Sequence, residues 1–181
     1  MNELYNSCEL CPRKCHINRN TTKGICSNTS TLKVARSALH YFEEPSISGT
    51  NGSGTIFFSG CNLKCCYCQN KEISNDNFGI NISVERLSEL MLELQAKNAN
   101  NINLVTPTHF VPSIIEAIKL ARANGLSIPI VYNTSGYESI NTIKLLAGYV
   151  DIYLTDFKYF DNKLGEDLSK VKNYFEVASL A

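Results

Sequence analysis

Eight cysteines lie between Cys8 and Cys68, and the 113 residues that follow hold none. A disulfide framework would need an oxidising compartment, yet the opening MNELYNSCEL has neither the basic nor the apolar stretch of a secretory signal. The chain therefore reads as cytoplasmic, with reduced thiols, and reduced thiols at short spacings bind metal. A cysteine-dense front end, residues 1–48, precedes a globular body, residues 49–181, and 44% hydrophobic residues supply that body with a core. Seventeen basic residues balance seventeen acidic ones, so no charge bias indicates a nucleic-acid or membrane partner. No run of eighteen apolar residues is present to span a membrane.

The body alternates short β-rich runs with helical periods. Thr55–Ser59, Ile102–Val105, Ile128–Tyr132 and Val150–Phe157 read as strands. Between them, Ser83 caps a helix carrying Val84, Leu87, Leu90, Met91 and Leu94 at helical spacing. Pro112 suits the first turn of another helix, which Gly125 ends. Ile140–Ala147 and Glu166–Val177 read as two more. Strand–helix alternation of this kind predicts βαβ units and a parallel sheet curling towards a barrel, with too few units to close one. Residues 1 to about 45 lack the rhythm and read as irregular. Gly52-Ser53-Gly54 reads as a tight turn into the first strand of the body rather than an anion cradle.

The chemical signal is Cys61-Asn-Leu-Lys-Cys65-Cys66-Tyr67-Cys68, a C-x3-C-x2-C pattern in the loop after a strand. Three thiolates can converge on one inorganic centre. A cubane cluster takes four cysteines, so three leave one iron open to an outside ligand. A zinc knuckle borrowing a fourth ligand is the other reading, and no histidine lies nearby in sequence. Cys66 is the odd thiol, and a register that uses it stays open.

FFSGCNLKCCYCQN resembles the cluster loop of radical S-adenosylmethionine (SAM) enzymes, with Tyr67 at the aromatic position. Cys8, Cys11, Pro12, Arg13 and Cys15 are similar to the opening of pyruvate formate-lyase-activating-enzyme-like proteins that carry a Cys-rich N-terminal segment. The resemblance implies a partial (β/α) barrel that here stops after about four βα units. It implies that Cys61, Cys65 and Cys68 hold a [4Fe–4S] cluster whose open iron chelates SAM. Reductive cleavage of SAM would then give a 5′-deoxyadenosyl radical that takes hydrogen from a substrate, in activating enzymes a glycine of a partner, a glycyl radical enzyme. A reductase or a flavodoxin/ferredoxin-type donor would supply the electron. Asn133-Thr134-Ser135-Gly136 and Asp156-Phe157-Lys158 are similar to turns that, in activating enzymes, help hold a monovalent cation beside the SAM carboxylate with the Lys nearby; the resemblance makes Asn133, Thr134, Asp156 and Lys158, with Tyr67 of the cluster loop, candidate cofactor-binding residues.

The sequence departs from that pattern after the second strand of the body. Thr106-Pro107-Thr108-His109 stands where many relatives carry a carboxylate for the SAM amino group. His109 reads equally as a structural or a functional histidine. Cys8, Cys11, Cys15 and Cys26 form a second candidate metal site, with His16 as a substitute ligand; structural zinc is slightly favoured there over a second iron–sulfur cluster. Two other readings stay open on the residues: a zinc-stabilised interaction module without redox chemistry, and a catalytically dead fragment that still binds a cluster.

Overall fold

The computed structural model describes residues 2–181. A six-stranded mixed sheet runs through it in the order β3-β1-β2-β4-β5-β6, where β1 is Lys33–His40, β2 Ser53–Phe58, β3 Ile80–Asn81, β4 Ile102–Val105, β5 Ile130–Thr134 and β6 Ile152–Thr155. The last four strands of that order pair in parallel, in register Gly54↔Ile102, Ile102↔Ile130 and Val131↔Ile152, each joined to the next by a helical crossover. The helices are α1 (Pro45–Ser48), α2 (Lys71–Ser74), α3 (Val84–Ala96), α4 (Val111–Ala123), α5 (Ile140–Leu145), α6 (Asn162–Ser169) and α7 (Tyr174–Leu180).

Alternation along the parallel strands separates two faces. Ile56, Ile102, Leu104 and Ile130 pack against Leu87, Met91 and Leu94 of α3 and Ile114, Ile118 and Ala121 of α4. Phe57, Val105, Asn133 and Leu154 turn the other way and line a cleft. Ser83 caps α3 as expected, its hydroxyl accepting from the Arg86 amide at 3.1 Å. Pro112 lies in the first turn of α4.

Two elements correct the sequence reading. Residues 33–40, read as irregular, form β1, which pairs antiparallel with β2 from Val34↔Phe58 to His40↔Ser53. Its mixture of Lys, Arg, Ser and Ala hides the period, because a bulge after Val34 shifts the register. The boundary between 48 and 49 thus falls between two strands of one sheet. The single helix expected over Glu166–Val177 is two. Lys170 adopts a left-handed φ of 58° and the Val171 amide donates back to the Gly165 carbonyl at 3.2 Å, a helix-ending turn without the usual glycine. The break lets Val171 and Tyr174 both bury their side chains. The strand expected from Ile128 starts instead at Ile130, since Pro129 has no N–H to donate. Of the turn expected at Gly52-Ser53-Gly54 only Gly52 precedes the strand; Ser53 and Gly54 already pair within β2, and the Gly54 amide donates to the Asn101 carbonyl at 3.0 Å.

Candidate functional site

The C-x3-C-x2-C loop leaves β2 at Gly60 and is held from below by the end of the chain. The Lys64 amide donates to the Ser169 carbonyl at 3.1 Å and the Cys66 amide to Leu168 at 2.9 Å. Leu63 is buried with Tyr137, Tyr159, Val171 and Tyr174, and Cys61 and Cys65 pack against that cluster. The loop therefore sits on the α6–α7 pair rather than projecting into solvent.

A cleft of about 670 Å³ opens beside it, on the scale of small-molecule sites. Its walls carry Cys61, Cys65, Cys68 and Tyr67 from the loop, Thr106, Asn133 and Ser135 from the ends of β4 and β5, and Asp156 and Lys158 beyond β6. The ligand region of an open parallel sheet lies at the carboxyl ends of its strands, which is where these residues are. Cys66 is exposed and absent from the walls, so the three thiols of the C-x3-C-x2-C spacing face the cleft and the odd one does not.

Each of the three thiols has a polar neighbour. The Leu63 amide reaches Cys61 Sγ at 3.4 Å, Ser169 Oγ donates to Cys65 Sγ at 2.8 Å, and Cys68 Sγ lies 3.2 Å from Ser74 Oγ. Burial pushes the Cys61 thiol up to about 12, and the nearby Cys65 and Cys68 add to it. Among the described residues no three His, Cys, Asp or Glu side chains stand in an arrangement that would hold a single metal ion. Three soft thiols spread along one wall suit instead a centre with several corners.

The other candidates divide. Asn133, Asp156, Lys158 and Tyr67 line the cleft; Thr134 does not. Asp156 Oδ2 accepts from Lys158 Nζ at 2.6 Å. Burial pulls the Lys158 ammonium down, but the hydrogen bond and charge of Asp156 outweigh it and leave it raised. Thr134 is buried and its hydroxyl donates to Glu138. Ser135, its neighbour, takes the place on the wall.

Glu138 was not foreseen. It is a buried carboxyl that also accepts from Thr108 Oγ1 at 2.6 Å and Tyr132 Oη at 3.3 Å, and burial raises it to about 7 against those hydrogen bonds. It ties the Thr106–His109 turn to the end of β5. A second unforeseen carboxylate, Glu43, lines the cleft and accepts from Asn103 Nδ2 at 2.7 Å and Asn133 Nδ2 at 3.4 Å. Arg36 and His40 of β1 join it there. His109 is structural: its Nε2 is 2.8 Å from the Ser59 carbonyl, and burial, helped by the nearby Arg19 charge, lowers it to about 3, so it is neutral and donates that bond. His16 is exposed and reaches Glu9 at 3.2 Å rather than a thiol.

Residues 55–179, from within β2 through the loop and the other parallel strands into α7, match the domain of the Radical SAM superfamily. The chain belongs to that superfamily. Membership implies [4Fe–4S]- and SAM-dependent radical chemistry, and the thiol donors on the cleft wall fit such a cluster. The chain is 36% identical over 182 residues to an uncharacterized protein of Methanocaldococcus jannaschii, covering 96% of this chain and 52% of that one. It is 26% identical over 125 residues to the pyruvate formate-lyase-activating enzyme of Clostridium pasteurianum, covering 64% of this chain and 50% of that one. The chain thus spans about half the length of these curated relatives. No helix among the described residues is long and apolar enough to cross a membrane.

Proposed function

We propose that this radical SAM protein binds a [4Fe–4S] cluster through Cys61, Cys65 and Cys68 and SAM in the adjoining cleft, and works as an activating-enzyme-like oxidoreductase. Support comes from one observation: these three thiols, but not Cys66, share a cleft with Asn133, Asp156 and Lys158 at the ends of parallel strands. The bound cluster would supply the electron that splits SAM into methionine and a 5′-deoxyadenosyl radical, which abstracts hydrogen from the substrate. In this reading Lys158, oriented by its 2.6 Å bond to Asp156, meets the carboxylate end of SAM, and Asn133 offers an amide to it. Thr134 acts through Glu138 to hold the turn rather than touching the ligand.

The activating-enzyme relative points to a partner enzyme as the hydrogen donor, a glycine of it in this reading, and the resemblance of the cluster loop to radical SAM enzymes implies a flavodoxin- or ferredoxin-type source of the electron. The experiment is reductive SAM cleavage under strict anaerobiosis with dithionite, followed by chromatography for 5′-deoxyadenosine. Cys65→Ala should abolish the product and Cys66→Ala should retain it. Product from folded Cys65→Ala protein would overturn the ligand assignment.

A further inference from the structure

Arg19 is 1% exposed, and no carboxylate among the described residues pairs with it. Its guanidinium donates to three backbone carbonyls, His109 at 2.6 Å, Thr29 at 2.5 Å and Asn28 at 3.2 Å, and lies between the rings of Tyr5 and Phe110. Carbonyls and rings are dipoles and quadrupoles; a fully buried cation also calls for a negative charge. The candidate in reach is sulfur: Arg19 Nη1 is 3.9 Å from Cys8 Sγ.

Cys8 belongs to a group. Cys8, Cys11 and Cys26 are buried and Cys15 partly so. Gly24 brings two of them and Arg19 together: an added Cβ there would meet Cys26 Sγ at 3.4 Å, Arg19 Cδ at 3.6 Å and Cys15 Sγ at 3.7 Å. Cys26 Sγ lies 3.9 Å from the Asn28 carbonyl, to which Arg19 Nε also donates at 3.2 Å, so the guanidinium and two of the cysteines share one buried neighbourhood. Lys14, His16 and Ser27 take left-handed backbone beside these cysteines, and His16 thereby carries its ring away from the group.

We propose that Cys8, Cys11, Cys15 and Cys26 hold a second iron–sulfur cluster, with Arg19 as its internal counter-charge. Four thiolates bring more negative charge than a cubane core brings positive, so the centre meets the buried guanidinium with the sign it lacks. Zinc, slightly favoured on the sequence, would carry the same net charge with four thiolates, and metal and sulfide content separates the two. The proposal is independent of the chemistry assigned to the cleft.

The test is iron, sulfide and zinc per chain in anaerobically reconstituted full-length protein. Wild type should carry about eight irons, and a Cys61→Ala/Cys65→Ala/Cys68→Ala variant about four irons and four sulfides. That variant leaves the N-terminal segment untouched, so its metal content carries the proposal even if substitutions at Cys11 or Cys26 prevent folding. About one zinc and no sulfide in it would overturn the cluster; a folded variant with no metal would overturn the site. In the same background Arg19→Met should lower the midpoint potential of the remaining cluster and Arg19→Lys should restore most of it. Equal potentials in all three would overturn the role of Arg19.

Discussion

Ser169 Oγ donates to Cys65 Sγ at 2.8 Å across 104 residues of sequence. Once Cys65 is a thiolate, the single serine proton is committed to sulfur. Tyr159, 2.5 Å away, must then donate to Ser169, and Tyr67 to Tyr159. The cysteine is thus the acceptor end of a directed chain of hydroxyls, each bond polarising the next.

Removing that donor should shift the cluster's potential. Hydrogen bonds to sulfur favour the more negative, reduced cluster. Ser169→Ala should lower the midpoint potential, by about 40 mV for one electron if the bond is worth about 1 kcal/mol. A redox titration followed by electron paramagnetic resonance measures it, and an unchanged potential would argue against the contact.

Glu138 makes the protein less stable as pH rises. Its folded value of about 7 lies above the 4.5 of an ordinary glutamate, so the native state keeps a proton the unfolded chain releases. The stabilisation is complete below 4.5 and is lost as pH rises through 7, roughly 3 kcal/mol in all. Urea melts of Glu138→Gln against wild type should show the variant gaining relative stability across that window.

His109 works in the opposite sense. Its folded value of about 3 lies below the usual 6.5, so the unfolded chain takes up a proton first as pH falls. The stability is complete above 6.5 and is lost towards pH 3, on the order of 5 kcal/mol. His109→Gln keeps a donor for the Ser59 carbonyl and should flatten the acid limb of the same melts.

Gly60→Ala should disrupt the junction between the two cysteine segments. Gly60 has φ of 79°, and an added Cβ would stand 2.1 Å from Asn28 Nδ2 and 2.2 Å from the Cys26 carbonyl. Neither backbone nor a buried amide can yield that far, so the cost should exceed about 3 kcal/mol. Thermal unfolding measures the loss, and limited proteolysis should cut residues 20–30 first.

The fold was legible where one periodicity ruled a segment. Ile102–Val105 and the α3 stripe from Val84 to Leu94 show it, because each buries one consistent face. The Lys33–His40 strand was not legible, since its partly exposed face mixes charge with small residues around a bulge. The cysteine loop could be read from spacing, while its register, with Cys66 outside, came from the family resemblance. Arg19, Glu43 and Glu138 could not, because what marks them is burial and partners up to 90 residues away. The nearest signal was local: Arg19 lies between Cys15 and Cys26, and Glu138 stands four residues after Thr134.

The turn that ends α6 has a consequence for how the protein is made. Residues 168–170 give their carbonyls to the amides of Cys66 and Lys64 and to the Arg13 guanidinium, the last at 2.6 Å. Both cysteine segments therefore rest on a part of the chain that leaves the ribosome about a hundred residues after the second of them. Until that turn has emerged, the thiols have no fixed backbone beneath them. On the proposed assignments, metal loading at either segment would follow synthesis of the domain, and iron and sulfide would be delivered to a protein already folded.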